Sequence, residues 1–385
     1  MRLLDRYLLR SFLEPLLLCF AAFVGILVII DAYGNLHDFT QGSARWRLIG
    51  VYYAHQLPHF ILLCVPMSIL LASLYCLSKL SRSNEIISML TAGRGLVRML
   101  MPLFVAATVL TGGCLLLNYT LAPQADALRK KDLDRITFGE LAENLNIIQA
   151  HVVKDRMTNR VWFTASMRPN VNMLDSVHIT QLDSNGVPVT RWYAHDATYD
   201  PRTRTWFLNR GRQVSFDAKG NVEGEMQNWT KSSGADASRA FSGWTETPYR
   251  IGSSRMEADH LSVPELREYL ASNADFPEAQ LAPFRTHLQD RWALPFTCLS
   301  VVFIAAPLGI VFSRRAVLAS VAASIFIFFG FFFCMLLFLA LGKGHHLSPI
   351  VAAWTPNAVL AAIGIYLLYL RATNRVAPKL FFRKS

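Results

Sequence analysis

The sequence predicts an α+β membrane protein with six transmembrane helices, three before and three after an inserted antiparallel β domain. Three observations carry this. Three long apolar segments open the chain and three close it, a polar block from Leu121 to Asp290 separates the two sets, and short alternating runs recur within that block between turn residues.

A membrane span needs roughly 20 apolar residues, or about 17 at the short limit. Six segments meet this: Leu13 to Ile30, Phe60 to Leu77, Met99 to Leu117, Trp292 to Phe312, Ala316 to Leu341 and Ile350 to Leu370. The fifth holds the run Ile325-Phe326-Ile327-Phe328-Phe329-Gly330-Phe331-Phe332-Phe333. Buried helices of a large soluble protein would show shorter apolar runs with polar faces. The expected division is therefore 1–120 for the first three helices, 121–290 for the inserted domain and 291–385 for the last three helices with a basic tail.

Lys and Arg in the short loops set the orientation. One set of ends carries Arg2, Arg6 and Arg10, then Lys79, Arg82, Arg94 and Arg98, then Arg314 and Arg315, then Arg371, Arg375, Lys379, Arg383 and Lys384; the opposite short loops carry Arg45, Arg47 and Lys343. Both termini are expected in the cytoplasm and the polar block outside. This bias accounts for much of the net charge of +11, so nucleic acid is not needed to explain it. The first segment exceeds the h-region of a signal peptide, about 7 to 15 residues, and Asp31-Ala32-Tyr33-Gly34 offers no convincing cleavage site, so it reads as an uncleaved span. All six cysteines, Cys19, Cys64, Cys76, Cys114, Cys298 and Cys334, fall within spans, leaving the exterior block to fold without disulfides.

The exterior block reads as β structure. Val152 to Ser166 predicts a hairpin turning at Asp155 to Asn159; Ser176 to Leu182 predicts a half-buried strand, and Asn185-Gly186 the following turn. Val187 to Tyr193, Ala197 to Tyr199, Thr205 to Asn209 and Gln213 to Phe216 predict further short strands, in keeping with a sandwich or jelly roll. Gly224 to Ala240 reads as a loop. Ser262-Val263-Pro264-Glu265 has the form of a capping box opening a helix to about Ser272, and Pro283 to Arg291 reads as a connector.

Within the six boundaries the only charged side chain is Glu14. Ion-coupled transporters place ionisable residues in the bilayer, so such a mechanism is disfavoured, and walls of Leu, Phe, Ile and Val suit an acyl chain better than an ion or sugar. The chain has no P-loop, so energy from a nucleotide would have to come from a separate polypeptide. The cytoplasmic loop Leu77 to Gly95 suits that purpose. Leu80, Ile86, Ile87, Met89 and Leu90 can share one side of a short helix, with Glu85 pointing elsewhere and Gly93 stopping it; such a helix can dock a partner or lie on the bilayer. His55 and His59 are four apart and His345-His346 adjacent, but neither set has an acidic or cysteine partner nearby, which argues against a metal site.

The segment Asn84-Glu85-Ile86-Ile87-Ser88-Met89-Leu90-Thr91-Ala92-Gly93 resembles the coupling-helix motif of the lipopolysaccharide export permeases LptF and LptG. Leu4-Asp5-Arg6-Tyr7-Leu8-Leu9-Arg10 is similar to the opening of that family, Asn118-Tyr119-Thr120-Leu121-Ala122-Pro123 to its exit from the third span, Ala306-Pro307-Leu308-Gly309 to the end of its fourth, and Trp354-Thr355-Pro356-Asn357 to its last. The resemblance implies a periplasmic jelly-roll domain between the two sets of spans in an inner-membrane protein. It implies a permease subunit rather than an enzyme, with no cofactor of its own, and ATP used by a dimer of the ATPase LptB. The other implied partners are a paired LptF/LptG-type subunit, a periplasmic LptC/LptA-type bridge, and lipopolysaccharide as cargo. Glu85 matches the coupling acid, with Arg82, Asn84 and Met89 beside it, although Arg82 also serves as an orienting charge. Basic residues at the cavity mouth of the family point to Arg129, Arg135 and Arg291 for the phosphate head group, with Arg45 and Arg47 as further candidates. Asp5-Arg6-Tyr7 and the capped helix lean towards LptG; Val28-Ile29-Ile30-Asp31, where LptG tends to carry lysine, leans away. A lipid-modifying membrane enzyme and a scaffold displaying a β domain are the alternatives.

Overall fold

The computed structural model describes residues 3–41, 46–93, 95–139, 148–155, 158–167, 173–217, 220–229, 238–253, 256–310 and 314–373. The chain divides into a helical unit, Met1–Ile136 with Ala258–Arg267 and Glu278–Ser385, and a β unit, Thr137–Glu257 with Glu268–Pro277.

In the helical unit α1 is Leu3–Gly34, α2 Leu36–Gln41, α3 Trp46–Arg82, α4 Glu85–Thr91 and α5 Leu96–Leu116; α5 runs through a π-helical turn, Leu117–Leu121, into α6, Ala122–Phe138. A short α7, Pro248–Ser253, belongs to the β unit. The chain then forms α8, Val263–Ser272; α9, Glu278–Ala293; a 3-10 turn, Leu294–Phe296; α10, Thr297–Gly309; α11, Arg314–Lys343; and α12, Pro349–Ala372. Six stretches are long and apolar enough to cross a membrane: Leu4–Gly34, Trp46–Arg82, Leu96–Phe138, Glu278–Gly309, Phe326–Lys343 and Pro349–Ala372. Several helices outrun their apolar segments. The polar Pro283 to Arg291, expected as a connector, is helical and continues the fourth span, because helix geometry does not stop where hydrophobicity does.

The bundle closes around Phe12, Ile69, Leu74, Leu77, Leu100 and Val302, all buried. Several polar groups inside it bond across helices, the favoured arrangement away from water. Asn118, fully buried in the π-helical turn, donates to the Arg291 carbonyl at 2.8 Å and accepts from Arg291 Nη1 at 3.1 Å, which ties the third span to the fourth. Asn357 of α12 donates to the Ala293 carbonyl at 2.7 Å and accepts from Thr297 Oγ1 at 3.1 Å, while Ser300 Oγ donates to its backbone carbonyl. These bonds lock the sixth span to the fourth. Glycine permits the same approach: a Cβ on Gly364 would lie 2.6 Å from the Phe303 backbone.

The β unit is one antiparallel sheet. Its strands are β1 Ile148–Asp155, β2 Arg160–Met167, β3 Met173–Leu182, β4 Pro188–Asp200, β5 Thr205–Phe216, β6 Val222–Asn228 and β7 Ser238–Ser242. Neighbours in sequence pair from β1 to β6, and β7 returns to pair with β5. The predicted hairpin at Asn159 and the turn at Gly186 are present, both residues adopting positive φ. Two expectations change. Val187 to Tyr193 and Ala197 to Tyr199 are parts of β4, and Thr205 to Asn209 and Gln213 to Phe216 are parts of β5. The segment Gly224 to Ala240, expected as a loop, contributes most of β6 and the start of β7; residues 230–237 lie outside the described set.

The apparent breaks within β4 and β5 have a physical origin. Ala150, Ser176 and Arg210 adopt left-handed φ values of 46°, 49° and 49°. They sit on alternate strands in one row, Ala150, Ala165, Ser176, His195 and Arg210, and the ladder pairs on either side skip that row. A line of interrupted pairing thus crosses five strands, and the sequence pattern loses its alternation there. On one face Trp162, Trp206, Val177, Ile179 and Leu208 form the core. The buried Glu246 carboxylate meets Arg160 at 2.8 Å, and the Trp206 indole donates to the Glu246 carbonyl. In the capping box of α8, Glu265 Oε2 accepts from the Ser262 amide at 2.8 Å.

Asn357→Ala should strand the Ala293 carbonyl and the Thr297 hydroxyl, a penalty of roughly 1–3 kcal/mol. Its thermal midpoint in detergent should fall by several degrees, whereas substitution of a lipid-facing residue such as Val359 should leave it unchanged. A second prediction concerns pH. Burial by itself pushes the Asp196 carboxyl up, but hydrogen bonds from Asn209, Arg210 and His195, with the Arg210 charge, outweigh it and hold the group below the ordinary carboxylate range. Such a group adds stability above its unfolded value of about 3.9 and loses it as pH falls through the lower folded value. Tryptophan fluorescence of the full chain should show a steeper loss of stability below about pH 4 in the wild type than in Asp196→Asn.

Candidate functional site

A cavity of about 330 Å³ lies within the helical unit. Its lining changes character along each helix. On α3 it runs from His59 through Leu62 and Leu63 to Pro66, and on α6 from Arg129 through Asp126 to Ala122. From α9 into α10 it runs from His287, Asp290 and Arg291 to Leu294 and Thr297. Phe328, Phe331, Phe332 and Met335 of α11 complete the apolar end. One end is therefore charged and the other apolar. Its charged end sets Arg129 and Arg291 among Asp126, Asp259 and Asp290, and the gradient matches an amphiphile with a charged head and a hydrocarbon tail.

Two of the arginines expected at a head-group site meet here. Arg291 is fixed by its bond to Asn118 and by donating Nη2 to the Asp259 carbonyl. Arg129 lies 4.0 Å from Asp126 and donates to the Tyr52 hydroxyl. In both, Nε–H is buried and has no hydrogen-bond acceptor among the described residues. Each keeps an unused donor beside the cavity, an arrangement that an incoming phosphate oxygen would complete.

The other candidates lie elsewhere. Arg135 is exposed and lies beyond Arg129 on α6, away from the lining; Arg47 is exposed near the start of α3, and Arg45 lies outside the described residues.

The histidines of α3 do have acidic partners, contrary to expectation. His55 Nδ1 lies 2.6 Å from Asp132, and His59 Nδ1 3.5 Å from Asp126. The carboxylates come from α6, far away in sequence, so local spacing could not reveal them. Each pair uses one imidazole and one carboxylate, which is not a metal-binding set. Tyr52, one turn away, donates to Asp31 at 3.0 Å, linking α1 to the same layer. A signal was present: His55 and His59 repeat at helical spacing, and Asp126, Arg129 and Asp132 mark one side of α6.

The α4 end of the bundle is a second feature. α3 ends at Arg82, Asn84 takes a left-handed φ of 57°, and Glu85 opens α4. The expected helix is thus shorter than 80–93, and Leu80 belongs to α3. Ile86 and Met89 are buried in the bundle core, whereas Ile87 faces outward. Met89 therefore holds α4 to its own chain. Glu85 is half-exposed and accepts from Ser83 Oγ at 2.9 Å and from the Tyr7 hydroxyl; Arg82 and Asn84 are exposed. Gly93 has φ 80° and ends the turn after α4, as its sequence position predicts.

The cavity geometry predicts a difference between two arginines on one helix. A phosphorylated long-chain lipid should bind the detergent-purified chain, and Arg129→Gln should weaken it roughly ten-fold or more, the equivalent of one charge-assisted hydrogen bond. Arg135→Gln should leave the affinity unchanged, as read by titration calorimetry.

No match is found among curated proteins. A family model described as lipopolysaccharide export system permease LptF/LptG matches residues 6–370, nearly the whole chain. That span includes all six candidate membrane helices except the first two residues of the first and the last two of the sixth, together with the β unit between them. A permease with these helices is a multi-pass protein of the inner membrane, acting with other Lpt subunits. The chain belongs to the LptF/LptG family of lipopolysaccharide export permeases.

Proposed function

We propose that this chain is one half of the membrane channel of an ATP-driven exporter that lifts lipopolysaccharide out of the inner membrane. The observation that carries the reading is the graded cavity, in which Arg129 and Arg291 stand at one end and Phe328, Phe331 and Phe332 at the other. Phosphates of the cargo would meet the guanidinium groups, and an acyl chain the phenylalanines. With both termini in the cytoplasm, as the Lys and Arg distribution favours, the cavity's charged end faces the periplasm and the β unit lies there too. From the cavity the lipid passes to the β unit and then to an LptC/LptA-type bridge.

Work enters at α4. An LptB dimer binds ATP in the cytoplasm, and α4 is the docking element, presenting Glu85, Arg82 and Asn84 while Ile86 and Met89 anchor it in the bundle. Displacing α4 moves α3 directly, and the bond between Tyr7 and Glu85 extends the motion to α1. A second LptF/LptG-type subunit supplies the rest of the channel wall.

Purification from native membranes should bring down an ATPase and a second six-span subunit. Glu85→Arg reverses the charge at the docking surface, where opposed like charges cost several kcal/mol. It should lower delivery of lipopolysaccharide to the outer membrane by roughly ten-fold or more at unchanged protein level. Isolation of the chain alone, together with normal delivery by Glu85→Arg, would contradict the reading.

A further inference from the structure

The face of the β sheet opposite its core carries a row of side chains that the packing does not use. Ladder pairing aligns Val152, Phe163, His178, Tyr193, Arg212 and Asn228 across β1 to β6. Two positions along, Lys154, Val161, Thr180, Arg191 and Val214 form a parallel row. Side chains alternate along a strand, so these rows share one face. The row between them, Val153, Trp162, Ile179, Trp192 and Gln213, points to the tryptophan-rich core.

The rings on this face touch one another. Phe163 and His178 are 5.3 Å apart between centroids, and His178 and Tyr193 4.8 Å, edge to face. Arg212 is exposed and stacks over the Tyr193 ring at 4.7 Å. Arg191 donates to Thr180 Oγ1 at 3.2 Å and to the Tyr193 hydroxyl at 3.3 Å, so its guanidinium is held in place. The two rows contain three permanent cations, Lys154, Arg191 and Arg212, and no carboxylate. His178 is exposed, yet partial burial, with the Arg191 and Arg212 charges, pushes its imidazole below the ordinary histidine range. It therefore serves this face as a neutral ring.

We infer that this face binds an anionic saccharide, its sugar rings lying on Phe163, His178 and Tyr193 and its phosphate or carboxylate groups paired with Arg191 and Arg212. The C–H face of a pyranose is apolar and weakly positive, which suits the negative face of an aromatic ring. Guanidinium groups pair with phosphate or carboxylate in a bidentate manner. An acidic protein segment would use the same arginines but would not need a file of three aromatic rings. A neutral glycan would not need the cations. The combination selects a charged sugar. The saccharide part of lipopolysaccharide has this chemistry, and that source rests on the export reading above, whereas the site itself does not.

Titration calorimetry of the detergent-purified full chain tests this with deacylated lipopolysaccharide as the probe. Binding should weaken as salt is raised, and Arg212→Gln and Tyr193→Leu should each lower affinity roughly ten-fold, while Arg202→Gln, on an exposed turn of the same unit, should not. Dextran oligosaccharide, neutral, and polyphosphate, anionic without sugar, should each bind at least roughly ten-fold more weakly than the probe. A phosphorylated mannan oligosaccharide binding as well as the probe would place the site with charged sugars generally and remove lipopolysaccharide as its particular ligand. Polyphosphate binding equal to the probe, or no effect of the two variants, would overturn the inference. So would a photo-crosslinker in place of His178 that captures only protein in cells. Binding needs no ATPase, so isolation of the chain alone together with normal export in Glu85→Arg would sink the export reading and leave this one standing, and absent binding alongside an ATPase-bound complex would do the reverse.

Discussion

Polar atoms inside an apolar bundle have no water to bond with, so a partner elsewhere in the chain counts for more there than in solution, and in this molecule a few such bonds fix the arrangement of the spans. Asn118 and Arg291 satisfy one another across the third and fourth spans, and Asn357 engages Ala293, Thr297 and Ser300 across the fourth and sixth. Both sets of bonds converge on the junction of α9 and α10. Hydrophobic contact alone does not choose among rotations of helices that are apolar on several sides, because lipid tails are as apolar as leucine. A directional hydrogen bond chooses. By fixing rotation, these bonds also aim Arg291 and Asp290 into the cavity.

The same constraint connects packing to function. Arg129 and Arg291 are each held by part of their hydrogen-bonding capacity and retain a buried, unused Nε–H. An anchored guanidinium with a free donor is preorganised: a phosphate arriving there meets a group already oriented, with little side-chain freedom left to lose. At the opposite end of the bundle the logic is mechanical. Ile86 and Met89 bury one side of α4, and Glu85 lies beside Tyr7 of α1, so under the proposed mechanism a push on α4 would reach two long helices.

Some of this was legible in the sequence and some was not. The length of the apolar runs announced six spans, and Val161-Trp162-Phe163-Thr164 announced the return strand of a hairpin. The glycines at 93 and 186 marked their turns because positive φ is cheap for glycine alone. The left-handed kinks at Ser176 and Arg210 had no such mark, being ordinary residues held in that conformation by the sheet around them. The row of skipped pairing through these kinks, at His195 in β4 and Arg210 in β5, is why each of those strands looked like two. The partners of His55 and His59 were hidden for a different reason: Asp132 and Asp126 approach from a helix far along the chain.

The sequence by itself determined the three-plus-three spans, the strand-rich block between them, the absence of a nucleotide-binding loop and the family motifs. These are properties of local composition and spacing, which survive translation directly into helix, strand and turn. The tertiary structure alone decided that Arg129 and Arg291 share a cavity whereas Arg135 does not, that Met89 faces its own bundle, and that aromatic and cationic side chains from four strands meet in one file. Each of these depends on helix rotation or strand register between segments distant in sequence, and rotation and register are set by packing and hydrogen bonds that no single segment contains.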